Sequence, residues 1–170
     1  LIIPNISAHV QLNLGYAREH LGLLYFFGGG VSFFSMRLAG KMVDRYSSVR
    51  VMSVFTAMLM IAMAAGFVWF VPTFWVLPVF VLFMVSTTGR MVCAQTVSSK
   101  IPAPAQRGAY MSLQSAVMHF SSAMGAWISS RILVEEGGKL LHVPTIGTIA
   151  IACSLAVPLL CWRVERKVKS

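Results

Sequence analysis

A single carboxylate stands among four cations near the first third of the chain. Asp44 is flanked by Arg37, Lys41, Arg45 and Arg50 around the run Gly40-Lys41-Met42-Val43-Asp44-Arg45-Tyr46-Ser47-Ser48-Val49-Arg50. One acid among several cations can form a charge-paired latch. Placed just before a helical run, Asp44 is also favoured by the unpaired N–H groups of a helix N-terminus. Gly40 carries no side chain, so a neighbouring helix can approach it closely. The same cations also suit a cytoplasmic loop that only sets topology, and spacing alone supports both readings.

Further along, Arg90 lies within an apolar run beside Thr87, Thr88, Gln95 and Thr96. A guanidinium at that depth faces a protein interior or a water-filled cavity, or else reaches out to lipid headgroups. His119 can titrate near neutral pH and join a proton path, or simply bond to a neighbouring helix. Arg90 and His119 are therefore the candidate coupling residues. Asn5, His9 and Gln11 near the start, and Gln114 later, are candidates for lining a substrate cavity. Cys93, Cys153 and Cys161 lie in apolar runs and make no Cys-x-x-Cys pair, so neither a disulfide framework nor a metal site is expected. There is no His-Glu-x-x-His, no Gly-x-Ser-x-Gly and no cluster of Asp and His within a span. An enzyme is not expected, nor a cofactor.

The elements that must hold these groups are membrane helices. The chain has 170 residues, of which 57% are hydrophobic and 11% charged. A soluble domain carries about a quarter charged residues. The expected fold class is all-α, a polytopic membrane helix bundle with spans at about 1–14 (partial), 20–40, 49–70, 75–98, 105–133 and 143–162. A basic tail at 163–170 follows. Together they form one transmembrane domain over 1–170. The uncharged stretch from Val51 to Gly89 is too long for one span, and Pro72, Pro78, Trp69 and Trp75 mark its break. Arg131 to His142 reads as a loop of mixed charge. Leu1 opens inside an apolar segment, which reads as the truncated start of the first span. The net charge of +9 sits in short loops and one tail, which argues against nucleic acid as a partner.

Small residues mark packing faces. Gly28, Gly29 and Gly30 sit mid-span, where they permit close contact or bending. Ser121, Gly125 and Ser129 recur at four-residue spacing, a small-xxx-small stripe.

Alternate loops of six spans fall on opposite sides. One side holds Arg37, Lys41, Arg45, Arg50, Lys100, Arg107, Arg163, Arg166, Lys167 and Lys169; the other holds Arg18, Arg131 and Lys139. The excess places the 40–50 loop and the C-terminus in the cytoplasm of a cell whose inner membrane holds the protein.

The pattern Gly-x-x-x-Asp-Arg-x-x-x-x-Arg over Gly40, Asp44, Arg45 and Arg50 resembles the signature loop of the major facilitator superfamily of secondary transporters. Ser47 stands where that family usually has Gly. The resemblance implies that these four residues govern the change between outward-facing and inward-facing states. Gly89-Arg90-Met91-Val92, followed by Pro104-Ala105-Gln106-Arg107-Gly108-Ala109-Tyr110-Met111-Ser112, is similar to the second half of arabinose-efflux-permease-like facilitators, a group of drug and sugar exporters. The chain then corresponds to the C-terminal six-span half, the alternative being an N-terminal half cut in the central cytoplasmic loop, and the missing half of the same chain is its expected partner along with the lipid bilayer. The implied function is alternating-access transport of a small-molecule substrate, by proton-coupled efflux or antiport. Glu19, Asp44, Glu135, Glu136 and Glu165 all lie at ends or in loops, so a carboxylate proton carrier would belong to the other half. A non-transporting membrane subunit or scaffold on the same bundle is the alternative.

Overall fold

The computed structural model describes residues 2–69 and 72–169. Leu1 and Ser170, which bound the expected first span and tail, lie outside the described residues. So do Phe70 and Val71, at the expected junction of the third and fourth spans.

The chain opens with a 3-10 turn at Ile3–Asn5 and continues as helix α1, Ile6–Leu12. Pro4 sits at the start of that turn, where its missing N–H has no helical partner to lose. It therefore begins the segment instead of kinking it. Gly15, at φ 63°, then reverses the chain in a conformation that favours glycine.

Helix α2 is Leu21–Arg45, helix α3 is Ser48–Met63, and α3 runs on into a π-helical turn at Ala64–Val68. A 3-10 turn at Thr73–Trp75 leads into helix α4, Val76–Ser98. Pro78 falls in the first turn of α4, where backbone N–H groups lack helical acceptors. Helix α5 is Arg107–Ile132. Strands β1, Val134–Glu136, and β2, Lys139–Leu141, follow, and helix α6 is Val143–Lys169.

The fold is the expected all-α helix bundle. Among the described residues, four helical stretches are long and apolar enough to cross a membrane: Arg18–Arg45, Ser48–Val68, Thr73–Ser98 and Val143–Arg166. Helix α5 is 26 residues long, about 39 Å at 1.5 Å per residue. Its serines, Gln114 and His119 make it too polar to join that group.

One difference lies between α5 and α6. The mixed-charge loop contains an antiparallel hairpin that pairs Val134 with Leu141, Glu135 with Leu140 and Glu136 with Lys139. Gly137 and Gly138 form its tip at φ 59° and 74°, the two positive values that a tight hairpin turn requires. Asn13 clamps the hairpin from the other side of the chain. Its amide donates to the Leu140 carbonyl at 2.8 Å and accepts from the Leu140 N–H at 2.9 Å. A second difference is that α6 continues unbroken through the basic segment to Lys169.

Packing centres on α4, against which α2 and α3 both lie, while α6 packs on α3 and its π turn. The buried residues of α4 are Val76, Phe80, Phe83, Ser86, Gly89, Cys93 and Val97, steps of three and four that define one helix face. They feed two apolar clusters. One gathers Leu24, Leu59, Phe67 and Phe80 with α1 and the start of α6. The other gathers Ala39, Val43, Met52, Phe55 and Cys93 toward the α2–α3 connection.

Glycine sets the closest approaches. A Cβ at Gly28 would lie 2.8 Å from the Phe80 ring, whereas at Gly29 or Gly30 it would meet nothing within 4 Å. Of the three mid-span glycines, only the first is used for close packing among the described residues. Helix α2 passes through all three without a break.

Candidate functional site

The charged loop is shorter than its sequence suggests, because α2 absorbs most of it. Asp44 lies in the last turn of α2, not ahead of α3. That corrects the expected N-terminal placement: the α2 backbone is still helical through Arg45 and turns extended only at Tyr46. Asp44 is exposed and forms no ion pair among the described residues. A Cβ at Gly40 would meet nothing within 4 Å, so among the described residues no helix approaches closely there. The surrounding cations have other neighbours. The Arg37 guanidinium lies 5.1 Å from the Phe33 ring centre, and Arg45 lies 5.7 Å from that of Tyr46.

Ser47 and Glu165 make the contact that closes this end of the bundle. The Ser47 hydroxyl faces both Glu165 oxygens, at 3.3 and 3.1 Å. This ties the α2–α3 connection to the far end of α6. The sequence signal for it was slight: Glu165 is an isolated acid in a basic tail.

Arg90 projects from the middle of α4 toward α6. Its Nη1 donates to the Ser154 hydroxyl at 3.3 Å, and its Nε is buried without a hydrogen-bond partner among the described residues. The guanidinium is thus held between two helices with part of its donor set unused.

The polar residues of α1 mostly hold helices together. The Asn5 amide donates to Ser129 of α5 at 2.5 Å. His9 is 1% exposed; its Nε2 is 2.8 Å from the Gly66 carbonyl in the π turn, and its ring stacks on Phe67 at 4.6 Å. A π turn leaves carbonyls out of the regular helical ladder, and His9 takes one of them. Gln11 donates to the Ser7 carbonyl within its own helix at 3.0 Å. Within the small-residue stripe of α5, Ser121 is exposed, Gly125 half-buried and Ser129 buried.

Among the candidate cavity residues, Gln114 borders a large open space. A groove of about 680 Å³ runs between α4 and α5, lined among others by Met91, Gln95, Thr96, Gln114, Met118 and His119. The Gln114 Oε1 is buried and without a hydrogen-bond partner among the described residues. Asp and Glu are absent from the lining. Such a surface offers polarisable thioethers, neutral hydrogen-bonding groups and one imidazole. The structure therefore brings Gln114 and His119 together, and places Arg90 on a different face, against α6. The methionines of the groove carried no signal in sequence, because Met in an apolar span reads as core.

A family model described as Major Facilitator Superfamily matches residues 1–170 of the chain. No curated protein and no solved structure matches it.

Proposed function

The chain belongs to the Major Facilitator Superfamily, a family of membrane transporters and not of enzymes, and we propose that it works by alternating access as one six-span half of an exporter. In this reading it is the C-terminal half of an arabinose-efflux-permease-like member, paired with a second half of the same chain. The α2–α3 connection and the end of α6 face the cytoplasm at the inner membrane, and export is driven by proton antiport.

The groove between α4 and α5 carries this reading. It is large enough for a small solute, it lies between helices, and the unpartnered Gln114 oxygen gives a hydrogen-bond donor on that solute a place to bind. Arg90, buried with unused donors beside Ser154, supports a coupling role in which a fixed cation answers a proton carried elsewhere. The contact between Ser47 and Glu165 joins two elements of this same half, which supports its moving as one body when two halves rock about a central site.

The test is flux in vesicles reconstituted with the complete protein. Uptake of sugars and lipophilic drugs is followed under an imposed pH gradient, with and without a protonophore. Accumulation that the protonophore abolishes is the expected result. Flux indifferent to the protonophore would remove proton coupling. Binding without flux would favour the scaffold.

A further inference from the structure

We propose that a second groove, at the end of the bundle that carries the Ser47–Glu165 contact, binds the headgroup of an anionic glycerophospholipid. The groove has a volume of about 400 Å³ and is lined by Ser47, Val49, Arg50, Trp162, Glu165 and Arg166. It lies apart from the α4–α5 groove, and it requires only that the helices cross a bilayer.

Its position is the first reason. The uncharged run of α3 begins just after Arg50, and that of α6 ends at Trp162, just before Arg163. The groove therefore sits where two spans leave the hydrocarbon and meet the headgroup layer. Trp162 is half exposed there, the placement Trp prefers at a membrane interface.

Its charge is the second. Arg50 is exposed and makes no hydrogen bond or ion pair among the described residues. Arg166 lies with its guanidinium 5.2 Å from the Trp162 ring centre, which leaves its N–H edges open. Against these two cations stands one carboxylate, Glu165, which already accepts from Ser47. One positive charge remains, and a phosphodiester carries one negative charge. Guanidinium groups match phosphate oxygens with paired N–H donors. Val49 and Trp162 give the apolar wall on which the glycerol and first acyl carbons can rest. A free anion would leave that wall wet. The bound phosphate would bridge α3 to α6, the same two elements that the Ser47–Glu165 contact joins, and so hold this end closed.

The test uses the complete protein in nanodiscs of equimolar phosphatidylglycerol and phosphatidylcholine, with retained lipid counted by native mass spectrometry. The expected result is preferential retention of phosphatidylglycerol. Retention should fall about tenfold in the double variant Arg50→Gln and Arg166→Gln, as befits loss of two charge-assisted contacts. Arg131→Gln, which removes a cation outside the groove, should retain the lipid as the wild type does. Millimolar inorganic phosphate should not displace it. Equal retention of the two lipids, unchanged retention in the double variant, or displacement by phosphate would each overturn the proposal. If the double variant fails to fold, Arg50→Gln alone, read by the same ratio, decides.

Discussion

Ser47 and Glu165, 118 residues apart in sequence, meet through one hydroxyl and one carboxylate at 3.3 and 3.1 Å. The contact makes the short α2–α3 connection part of the α6 terminus. A hydrogen bond to a charged group contributes about 1.5–3 kcal/mol, and partial exposure of this one places it at the low end. Ser47→Ala should lower the unfolding temperature slightly and expose the connection to protease. Equal cleavage rates in variant and wild type would show that the contact does not hold the loop.

Gly89 and Phe55 pack in close contact. A Cβ at Gly89 would fall 2.5 Å from the Phe55 ring, and Phe55 is itself buried. Gly89→Ala should destabilise by about 1–3 kcal/mol through overpacking, read as a lower unfolding temperature in detergent. A variant as stable as the wild type would mean that α3 and α4 can separate freely.

The mid-span glycines should separate in the same assay. Gly28→Ala meets Phe80, whereas Gly29→Ala meets nothing. Gly29→Ala should be neutral or gain up to about 1 kcal/mol from helix propensity, and Gly28→Ala should lose stability. Comparable losses at both positions in the complete protein would reveal another helix seated on the Gly29 face.

His9 should behave as a structural residue. It is buried, bonded to the Gly66 carbonyl and stacked on Phe67. His9→Ala strands that carbonyl and leaves a void, for a loss of about 2–5 kcal/mol. The pH profile of transport in any variant that still folds should keep its wild-type shape. A shifted profile would give His9 a part in proton coupling that its buried contacts do not suggest.

Arg90→Gln and Asp44→Asn test the transport cycle. Both should insert and fold, because Asp44 is exposed and Arg90→Gln keeps an amide that can still donate to Ser154. Arg90→Gln should reduce proton-driven flux at least about tenfold, the effect of roughly 1.4 kcal/mol. Arg90→Lys should recover less than half of the loss, since a point charge does not replace the planar fork. Asp44→Asn should slow exchange to a similar degree if the loop gates the cycle. Unchanged flux for Asp44→Asn in reconstituted vesicles would remove its gating role.

Composition and apolar run length were enough to read an all-α membrane bundle, because spanning a bilayer forces about 20 uninterrupted apolar residues per helix. That signal is local and survives without any knowledge of contacts. The hairpin at 134–141 was less legible. Its strands are only three residues each, too short for an alternating pattern, and only the Gly137-Gly138 pair marked the turn. Asp44 was misplaced by a few residues, since a helix end depends on where the chain must turn to pack, not on the charge alone.

The candidate site divides along the same line. The sequence by itself determined which side chains were chemically able to act: one deep arginine, a few amides and histidines, and a basic loop. Only the tertiary structure decided which of them face one another. It turned Asn5 and His9 into ties between helices, put Gln114 and His119 on one groove, set Arg90 against Ser154, and paired Ser47 with Glu165. Residue type determines what a group can do, but its neighbours come from helix rotation and crossing, which depend on interdigitating side chains far apart in the chain.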